Sequence, residues 1–177
     1  MKKLLVIATL GLAAMGANAQ MYGEVTYGSV DIKGEVPGIT LKSSPNIFGL
    51  TLGYDVHPNF AVEGVAAFNG GTDGIKVNGI AIDAKAKVSS SYGLFVKPKI
   101  MASERFELFG RLGVARSKLT LSSGGISESE SDTDFAYGLG VNYYFSKNAY
   151  GTVNYMKFYD DDGLKANGFN FGIGYKF

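Results

Sequence analysis

The sequence predicts an all-β protein: an eight-stranded antiparallel up-and-down transmembrane β-barrel, preceded by a cleavable signal peptide. Three observations predict this fold. The chain begins with a short basic and apolar segment, continues with eight stretches in which large apolar residues alternate with small or polar ones, and ends on an aromatic residue. A mean hydropathy of only +0.06 fits such alternation, because strands with one apolar face do not raise the average as helical spans do.

The first 19 residues have the features of a secretory signal peptide. Lys2 and Lys3 form a basic start, residues 4–16 are an apolar stretch of 13 residues, and Ala17-Asn18-Ala19 is a small-x-small cleavage site. A membrane-anchoring helix is the weaker interpretation, because a helix needs roughly 20 apolar residues to span a bilayer. The sequence therefore predicts a signal peptide over residues 1–19 and an outer-membrane β-barrel domain over residues 20–177.

Eight stretches of period-two alternation follow the signal peptide, each about as long as a tilted strand needs to be to cross an outer membrane. They are Met21–Ile32, Asn46–Val56, Phe60–Asn69, Lys87–Ile100, Arg105–Lys118, Asp134–Ser146, Ala149–Phe158 and Lys165–Phe177. The connections at 57–59, 101–103 and 147–148 are tight, whereas those at 33–45, 70–86, 119–133 and 159–164 are mostly longer and polar. Short periplasmic turns and longer outer loops are typical of bacterial outer-membrane barrels.

The alternation predicts that the apolar face of each strand meets lipid. On the last strand, Asn, Gly and Lys alternate with a set of large residues: Phe169, Phe171, Ile173, Tyr175 and Phe177. A soluble lipocalin-like barrel is the alternative, but it would bury this set and expose a glycine-rich face to water, for which there is no physical reason. We expect the glycines to face inward instead, where they make room for large interior side chains.

The same alternation points charged side chains into the barrel. They are Glu24, Asp55, Glu63, Lys97, Glu107, Arg111 and Lys176. Unpaired charge in a confined interior is costly, so we expect these residues to form a network across strands. A turn centred on Ala102 predicts a contact between Lys97 and Glu107, places Arg111 opposite Gly93, and leaves Arg111 and Glu63 to join the network. Structural pairing is favoured over an ion-conducting cluster, because side chains can fill an eight-stranded interior.

The composition gives little support to catalysis, and no cofactor is expected. The chain has no Cys and one His, and His57 lies in a predicted tight turn with no Ser next to it on an adjacent predicted strand. A soft-metal site is disfavoured for the same reason. Without Lys2 and Lys3, the remaining 15 basic and 16 acidic residues nearly balance, which excludes the charge pattern of a nucleic-acid-binding protein.

The predicted outer loops carry acidic groups that could hold Ca²⁺ or Mg²⁺, with lipopolysaccharide phosphates as bridging ligands. They are Glu128, Glu130, Asp132 and Asp134 in the third loop and Asp160-Asp161-Asp162-Gly163 in the fourth. Their spacing lacks the pattern of a Ca²⁺-binding loop, so a solvated turn is the favoured interpretation of the fourth loop.

Together these features resemble the small eight-stranded outer-membrane barrels, which include the OmpX and Ail proteins and the membrane domain of OmpA. The resemblance covers residues 20–177. Its most specific part is the C-terminal strand, whose alternating residues and terminal Phe177 resemble the signal that the outer-membrane assembly machinery recognises. It implies a monomer in the outer membrane of a Gram-negative bacterium, in contact with lipid and lipopolysaccharide. Because the chain ends at Phe177, no peptidoglycan-binding domain is expected after the barrel.

Two functions remain open. The favoured one is a structural or surface-interaction role, in which the outer loops meet a host or phage surface ligand. The alternative is a narrow porin-like channel for ions or small solutes. The predicted interior favours the first, because Phe95, Phe109, Tyr144, Met156 and Arg111 leave little lumen.

Overall fold

The computed structural model describes residues 21–36, 39–123, 126–161 and 164–177, which form ten antiparallel β-strands. The strands are β1 Met21–Val36, β2 Ile39–Ser43, β3 Asn46–His57, β4 Phe60–Asn69, β5 Asp73–Val77, β6 Ile80–Met101, β7 Phe106–Ser123, β8 Ile126–Tyr144, β9 Ala149–Asp161 and β10 Leu164–Lys176. The predicted signal peptide lies outside the described residues. Over the residues that are described, no helix is long and apolar enough to cross a membrane.

Eight of these strands close into a barrel. Their order around it is β1-β3-β4-β6-β7-β8-β9-β10, and β10 pairs back onto β1 from Lys176 opposite Tyr22 to Leu164 opposite Gly34. Within the paired ranges, closure gives each wall strand a hydrogen-bonded neighbour on both sides and leaves no edge in that part of the fold. The predicted eight-stranded antiparallel barrel is confirmed.

The tight connections gather at one end of the barrel, here called the turn end. The β3–β4 turn is Pro58-Asn59, and residues 102–105 and 145–148 form the β6–β7 and β8–β9 turns. In the second turn, Ser103 Oγ accepts hydrogen bonds from the amides of Arg105 at 3.4 Å and Phe106 at 3.2 Å. Ser146 Oγ accepts a bond from the amide of Ala149 at 2.9 Å in the third. Hydroxyl groups therefore stabilise both four-residue turns.

At the opposite end, the loop end, the strands continue past the predicted limits. β6, β7 and β8 have 22, 18 and 19 residues, so the prediction of loops over most of 70–86 and 119–133 is wrong. The β5–β6 hairpin turns at Asn78-Gly79, whose positive φ values of 51° and 85° suit a type I′ turn. Higher on β7, the Thr120 hydroxyl bonds to Ser89 at 2.7 Å and to Ser129 at 2.8 Å. The Asn78-Gly79 turn and the hydrogen bonds of the Thr120 hydroxyl thus stabilise strands in regions where the composition alone indicated loops.

The short strands β2 and β5 also belong to the loop end. β2 pairs with β1 and with β5, and β5 pairs with β6. Beyond the barrel these two strands therefore take the position between β1 and β6 that β3 and β4 hold within it. On the other side, β8 pairs with β9 only between Tyr137 and Tyr144. Residues 126–136 of β8 consequently have no β9 partner in the described part of the chain.

The faces of the strands follow the predicted alternation. Large apolar side chains cover the outside, with Leu139 74%, Leu52 66% and Ile173 66% exposed. Aromatic pairs such as Phe106 with Tyr143 and Tyr155 with Phe169 lie near opposite ends of this apolar belt, with ring centroids 5.0 and 4.8 Å apart. The predicted lipid-facing surface is therefore confirmed as the outer surface of the barrel.

Inward-facing glycines accommodate interior rings. The Tyr22 ring lies where a side chain at Gly53 would be, and the Tyr150 ring lies against Gly174 in the same way. Both rings are about 1% exposed. The predicted reason for these glycines is confirmed, because any Cβ at either position would collide with a buried tyrosine.

Candidate functional site

A cluster of four charged side chains crosses the middle of the barrel. This central charge cluster consists of Glu24 on β1, Glu63 on β4, Lys97 on β6 and Arg111 on β7. Arg111 Nε donates to Glu63 Oε2 at 2.6 Å, and its Nη2 donates to Glu24 Oε2 at 2.6 Å. Lys97 Nζ lies 3.2 Å from a carboxylate oxygen of each glutamate. Two anions and two cations are thus held together with no net charge.

Aromatic side chains complete the central charge cluster. The Tyr22 hydroxyl donates to Glu63 at 2.7 Å, and the Tyr150 hydroxyl donates to Glu24 at 2.9 Å. Lys97 Nζ lies 4.3 Å from the centroid of the Phe109 ring, close enough for a cation–π contact. Carboxylates buried this deeply need several donors each, and the tyrosines supply those that the cations leave open.

A second group lies nearer the turn end. This turn-end cluster consists of Asp55 on β3, Lys99 on β6, Glu107 on β7 and Lys176 on β10. Asp55 pairs with Lys99 at 2.6 Å and with Lys176 at 3.4 Å, whereas Glu107 lies 3.7 Å from Lys99 and 3.9 Å from Lys176. Asn142 Nδ2 donates to Glu107 at 2.8 Å. The two clusters together occupy the turn-end half of the interior.

The structure places all seven predicted interior charges in these two clusters and pairs Arg111 with Glu63, but it contradicts the predicted contact between Lys97 and Glu107. Lys97 pairs with Glu24 and Glu63, not with Glu107. The cause is the β6–β7 register, in which Met101 lies opposite Glu107 and Gly93 opposite Ala115. The turn holds four residues, so its centre lies beyond Ala102. Arg111 therefore lies across from Lys97, not from Gly93.

Sequence reasoning missed three members of this interior. Lys99 lies two residues after Lys97, so the alternation itself places it inside the barrel. Tyr22 and Tyr150 have the same signal, since each is an even number of residues from an interior position on its strand. Their contacts with glutamates on other strands, in contrast, depend on a register that no local pattern reveals.

Above the central charge cluster, towards the loop end, the interior is open. A cavity of about 200 Å³ is lined by apolar side chains, among them Val30, Ile32, Ile47, Val88, Leu119 and Phe158. The exposed residues Glu130 and Asp132 also line it, so the cavity reaches the surface. We call it the mouth cavity. The barrel is therefore filled at its turn end and hollow at its loop end.

Four exposed lysines lie in direct register on the outside of the loop end. Lys165 of β10 is opposite Lys33 of β1, Lys33 is opposite Lys42 of β2, and Lys42 is opposite Lys76 of β5. Directly opposed residues share one face of a sheet. Lys33 follows the inward-facing Ile32, so this lysine row faces outward.

The remaining predicted site residues lie apart from these groups. On β10, Phe169, Phe171, Ile173 and Tyr175 face outward and are 64%, 58%, 66% and 50% exposed. His57 lies exposed at the turn end, where its Nδ1 accepts a hydrogen bond from the Asn59 amide at 3.2 Å.

The structure describes the acidic residues of the predicted third loop and only part of those in the fourth. Glu128, Glu130, Asp132 and Asp134 lie at alternate positions on β8, which spreads them along a strand. Asp162 and Gly163 lie outside the described residues. Within the described ranges, no three His, Asp or Glu side chains converge on a point where a metal ion could be held.

Comparisons with known proteins agree with this fold. The family described as "Outer membrane protein beta-barrel domain" matches residues 4–177. Among curated proteins, the attachment invasion locus protein of Yersinia pseudotuberculosis serotype I is 29% identical over 178 residues, which cover 97% of this chain and 93% of that protein. The attachment invasion locus protein of Yersinia enterocolitica is 28% identical over 186 residues and is covered completely.

Solved structures show the same architecture. The crystal structure of Ail, the attachment invasion locus protein of Yersinia pestis, in complex with the heparin analogue sucrose octasulfate superposes with a TM-score of 0.58 at 24% identity, covering 89% of this chain and 99% of that one. Neisserial surface protein A superposes with a TM-score of 0.63 at 14% identity, covering 92% and 100%. At these identities the likeness concerns the fold.

Proposed function

The chain belongs to the family of outer-membrane β-barrel domains, and we propose that its loop end is a surface-interaction site that binds polyanionic saccharides through the lysine row. The protein is an integral outer-membrane barrel of a Gram-negative envelope. In such barrels the short turns face the periplasm and the longer connections face outward. The lysine row and the mouth cavity are then on the extracellular side.

The lysine row is the observation that carries the proposal. Neighbouring strands are about 4.8 Å apart, so the four side chains span roughly 14 Å across one face. Like charges directly opposite one another destabilise a sheet. Lys33 has a lysine on both sides, on β10 and on β2, whereas Lys165 has Asp160 of β9 opposite it on its other side. Lys33, Lys42 and Lys76 have no carboxylate directly opposite them in the described strand pairings. Such an arrangement has a physical reason if a ligand with several negative charges neutralises it, because ammonium groups form strong hydrogen bonds with sulfate and phosphate oxygens.

The height of the row suits a ligand outside the hydrocarbon layer. Phe169, 64% exposed, belongs to the apolar belt. Lys165 precedes it by four residues on β10 and so lies nearer the loop end. At about 3.3 Å per residue, the lysine lies roughly 13 Å along the strand from that belt. Both a glycan on another surface and a phosphate group of lipopolysaccharide can be reached from there.

The relatives support a role in surface interaction. The curated Yersinia proteins to which the chain is similar are attachment invasion locus proteins. The Yersinia pestis Ail structure contains a heparin analogue. A sulfated saccharide of a host surface is therefore the ligand that we propose, with lipopolysaccharide as the competing source of negative charge.

Calorimetric titration tests this proposal. A protein of residues 20–177 is folded into nanodiscs of zwitterionic phosphatidylcholine and titrated with sucrose octasulfate. Replacing Lys33, Lys42 and Lys76 by Gln should weaken binding by about tenfold, in keeping with modest contributions from each exposed ion pair. The matched control replaces Lys85, Lys87 and Lys118 by Gln, which removes the same charge from β6 and β7. Equal losses in both variants would show a general charge effect and overturn the proposal.

A second arm distinguishes the two sources of negative charge. Nanodiscs that contain lipopolysaccharide present phosphates beside the barrel. If the row is available to external glycans, sucrose octasulfate binds with similar affinity in both kinds of nanodisc. If lipopolysaccharide occupies the row, the affinity falls in its presence and the host-glycan assignment is wrong.

The second hypothesis, a narrow channel, has no such observation in its favour among the described residues. Phe95 and Phe109 are 5% and 4% exposed and lie inside the wall. Phe95 lies on the loop-end side of Lys97 and Phe109 on the turn-end side of Arg111, so the central charge cluster crosses the axis between them. A path for ions would have to pass between these groups.

We also propose that the C-terminal strand serves as the assembly signal. Phe169, Phe171, Ile173 and Tyr175 form one outward-facing apolar row on β10. Phe177 continues it, and its ring centroid lies 5.5 Å from that of Tyr175. Its amide donates to the Met21 carbonyl at 2.9 Å, so the aromatic end lies at the seam where the barrel closes. Pulse-labelled assembly in cells should be slower for Phe177→Ala than for the inward-facing control Lys176→Gln.

A further inference from the structure

We propose that the mouth cavity binds small amphipathic amines, with the apolar part of the ligand inside the barrel and its ammonium group at the carboxylates of β8. This site is separate from the lysine row, because the row faces outward and the cavity lies inside. The proposal does not depend on saccharide binding, and it goes beyond a surface-interaction role.

The walls of the mouth cavity suit an apolar group. Val30, Ile32, Ile47 and Val88 are at most 9% exposed and form one apolar cluster, against which Phe158 packs. The volume of about 200 Å³ exceeds the roughly 150 Å³ of an apolar cavity that takes up benzene. The space therefore accommodates an aromatic ring with a short alkyl chain.

Polar side chains lie at the bottom of the mouth cavity and limit how deep an apolar group can go. A smaller cavity of about 40 Å³ follows it, and its lining combines apolar side chains such as Phe95 and Met156 with Asn154, Asn170 and Arg111. Asn170 Nδ2 donates to Asn154 Oδ1 at 3.3 Å, which leaves Asn154 Nδ2 and Asn170 Oδ1 buried without a partner. Such a site suits a water molecule better than a hydrocarbon. The mouth cavity is thus a blind pocket that opens outward.

Carboxylates line one side of the pocket. Glu130, Asp132 and Asp134 are all part of its lining, and they lie opposite Leu119, Ser117 and Ala115 of β7. Lys118 is the one cationic residue among the described lining residues. No ion pair joins the three carboxylates to a cation within the described ranges. An apolar pocket with excess negative charge at its rim favours a cationic amphiphile over a neutral or anionic one.

Among the described residues, strand pairing does not close the wall beside this rim. β8 pairs with β9 only as far as Tyr137, so the wall is interrupted between the upper part of β8 and β9. Phe158 of β9 and Asp134 of β8 both line the pocket beside this interruption. A small amine can enter there without separating paired strands.

Isoleucine methyl NMR in nanodiscs tests the site without any substitution. Phenethylammonium is the probe, and 2-phenylethanol and phenylacetate carry the same ring with a neutral and an anionic group. Ile32 and Ile47 line the pocket, whereas Ile100 and Ile173 face lipid and are 60% and 66% exposed. The expected result is a saturable shift of the Ile32 and Ile47 methyl signals with phenethylammonium, and weaker effects with the other two compounds. Shifts confined to Ile100 and Ile173 would show partition into the bilayer only and overturn the proposal.

Two variants separate the apolar and the electrostatic parts of the site. Ala67 is buried and lines the pocket, so Ala67→Phe should fill it and abolish the shifts. Its neighbour Ala66 lies on the opposite face of β4, and Ala66→Phe is the matched control that keeps binding. The double variant Glu130→Gln/Asp132→Asn should weaken phenethylammonium binding about fivefold, as expected for two partly exposed charges, and should leave 2-phenylethanol unaffected. An unchanged affinity for phenethylammonium in the double variant would contradict the proposed orientation of the ligand.

Discussion

Arg111 holds two carboxylates at once, with 2.6 Å contacts to Glu63 on β4 and to Glu24 on β1. It thereby connects β7 to β4, two strands away along the wall, and to β1 across the barrel axis. Lys97 contacts the same two glutamates. Removal of the guanidinium would leave two buried carboxylates with one cation between them.

Arg111→Met should destabilise the barrel by about 3–5 kcal/mol, the range for breaking a buried ion pair from one side. Urea unfolding of the detergent-folded protein, followed by the gel mobility shift between folded and unfolded barrel, measures this change. Arg116→Met on the same strand is the control, because Arg116 is exposed. If both variants unfold at the same urea concentration, the central charge cluster does not stabilise the fold.

Glu107→Gln should also lower stability, but by less than Glu63→Gln. The cations nearest to Glu107 are 3.7 and 3.9 Å away, and an amide can keep the hydrogen bond from Asn142. Glu63 instead accepts a 2.6 Å bond from Arg111 and a 2.7 Å bond from Tyr22. Loss of roughly 1 kcal/mol for Glu107→Gln against about 3 kcal/mol for Glu63→Gln is expected. Thermal melts of the two variants in the same detergent provide the comparison, and the reverse order would contradict it.

Gly53→Ala should destabilise the barrel by about 1–3 kcal/mol, as overpacking of a filled interior does. The added methyl group would meet the Tyr22 ring, which must then move away from Glu63. Gly64→Ala is a stringent control, because a Cβ at Gly64 has nothing within 4 Å. The unfolding midpoints of the two variants measure the difference. Equal midpoints would show that the Tyr22 ring can move without loss of stability.

The wild-type protein should be electrically silent in planar bilayers. The central charge cluster and the rings of Tyr22, Tyr150 and Phe109 fill the interior between turn end and mouth cavity. Recordings need a preparation free of larger porins, with the unfolded protein as a blank. Regular openings that scale with protein concentration would establish the channel hypothesis instead.

Lys42→Gln should slightly stabilise the loop end while weakening polyanion binding. Lys42 lies between Lys33 and Lys76, and removing one of several directly opposed like charges gains about 0.2–1 kcal/mol. The gain should be largest at low ionic strength, where screening is weakest. Hydrogen exchange of β2 and β5 amides reports local stability; faster exchange in the variant would contradict the expected repulsion.

Period-two alternation was sufficient to predict which residues face inward and the number of barrel strands. The outward set on β10 and the inward set around Arg111 both follow from it, because side chains on a strand point alternately to its two faces. Partners across the barrel could not be predicted in the same way. A turn two residues off centre replaced the expected Lys97–Glu107 contact by Lys97 with Glu24 and Glu63.

The strands at the loop end are the second feature that could not be predicted from the sequence. The Asn78-Gly79 turn is a strong hairpin signal, yet the polar composition of 70–86 concealed the strands on either side of it. The lysine row depends on pairings among β10, β1, β2 and β5, in which Lys165 and Lys76 lie far in sequence from Lys33 and Lys42. A long-range register of this kind is set by tertiary pairing, and composition does not record it.

The replacement of β3 and β4 by β2 and β5 at the loop end has a consequence for recognition. Three of the four lysines lie on β1, β2 and β5, which hydrogen-bond in sequence across the sheet. A flexible loop loses conformational entropy when it is ordered by a ligand, whereas a backbone that is already fixed loses little. The backbone that carries the lysine row is therefore fixed before a ligand arrives, and the polyanion binding proposed above would lose little affinity to loop ordering.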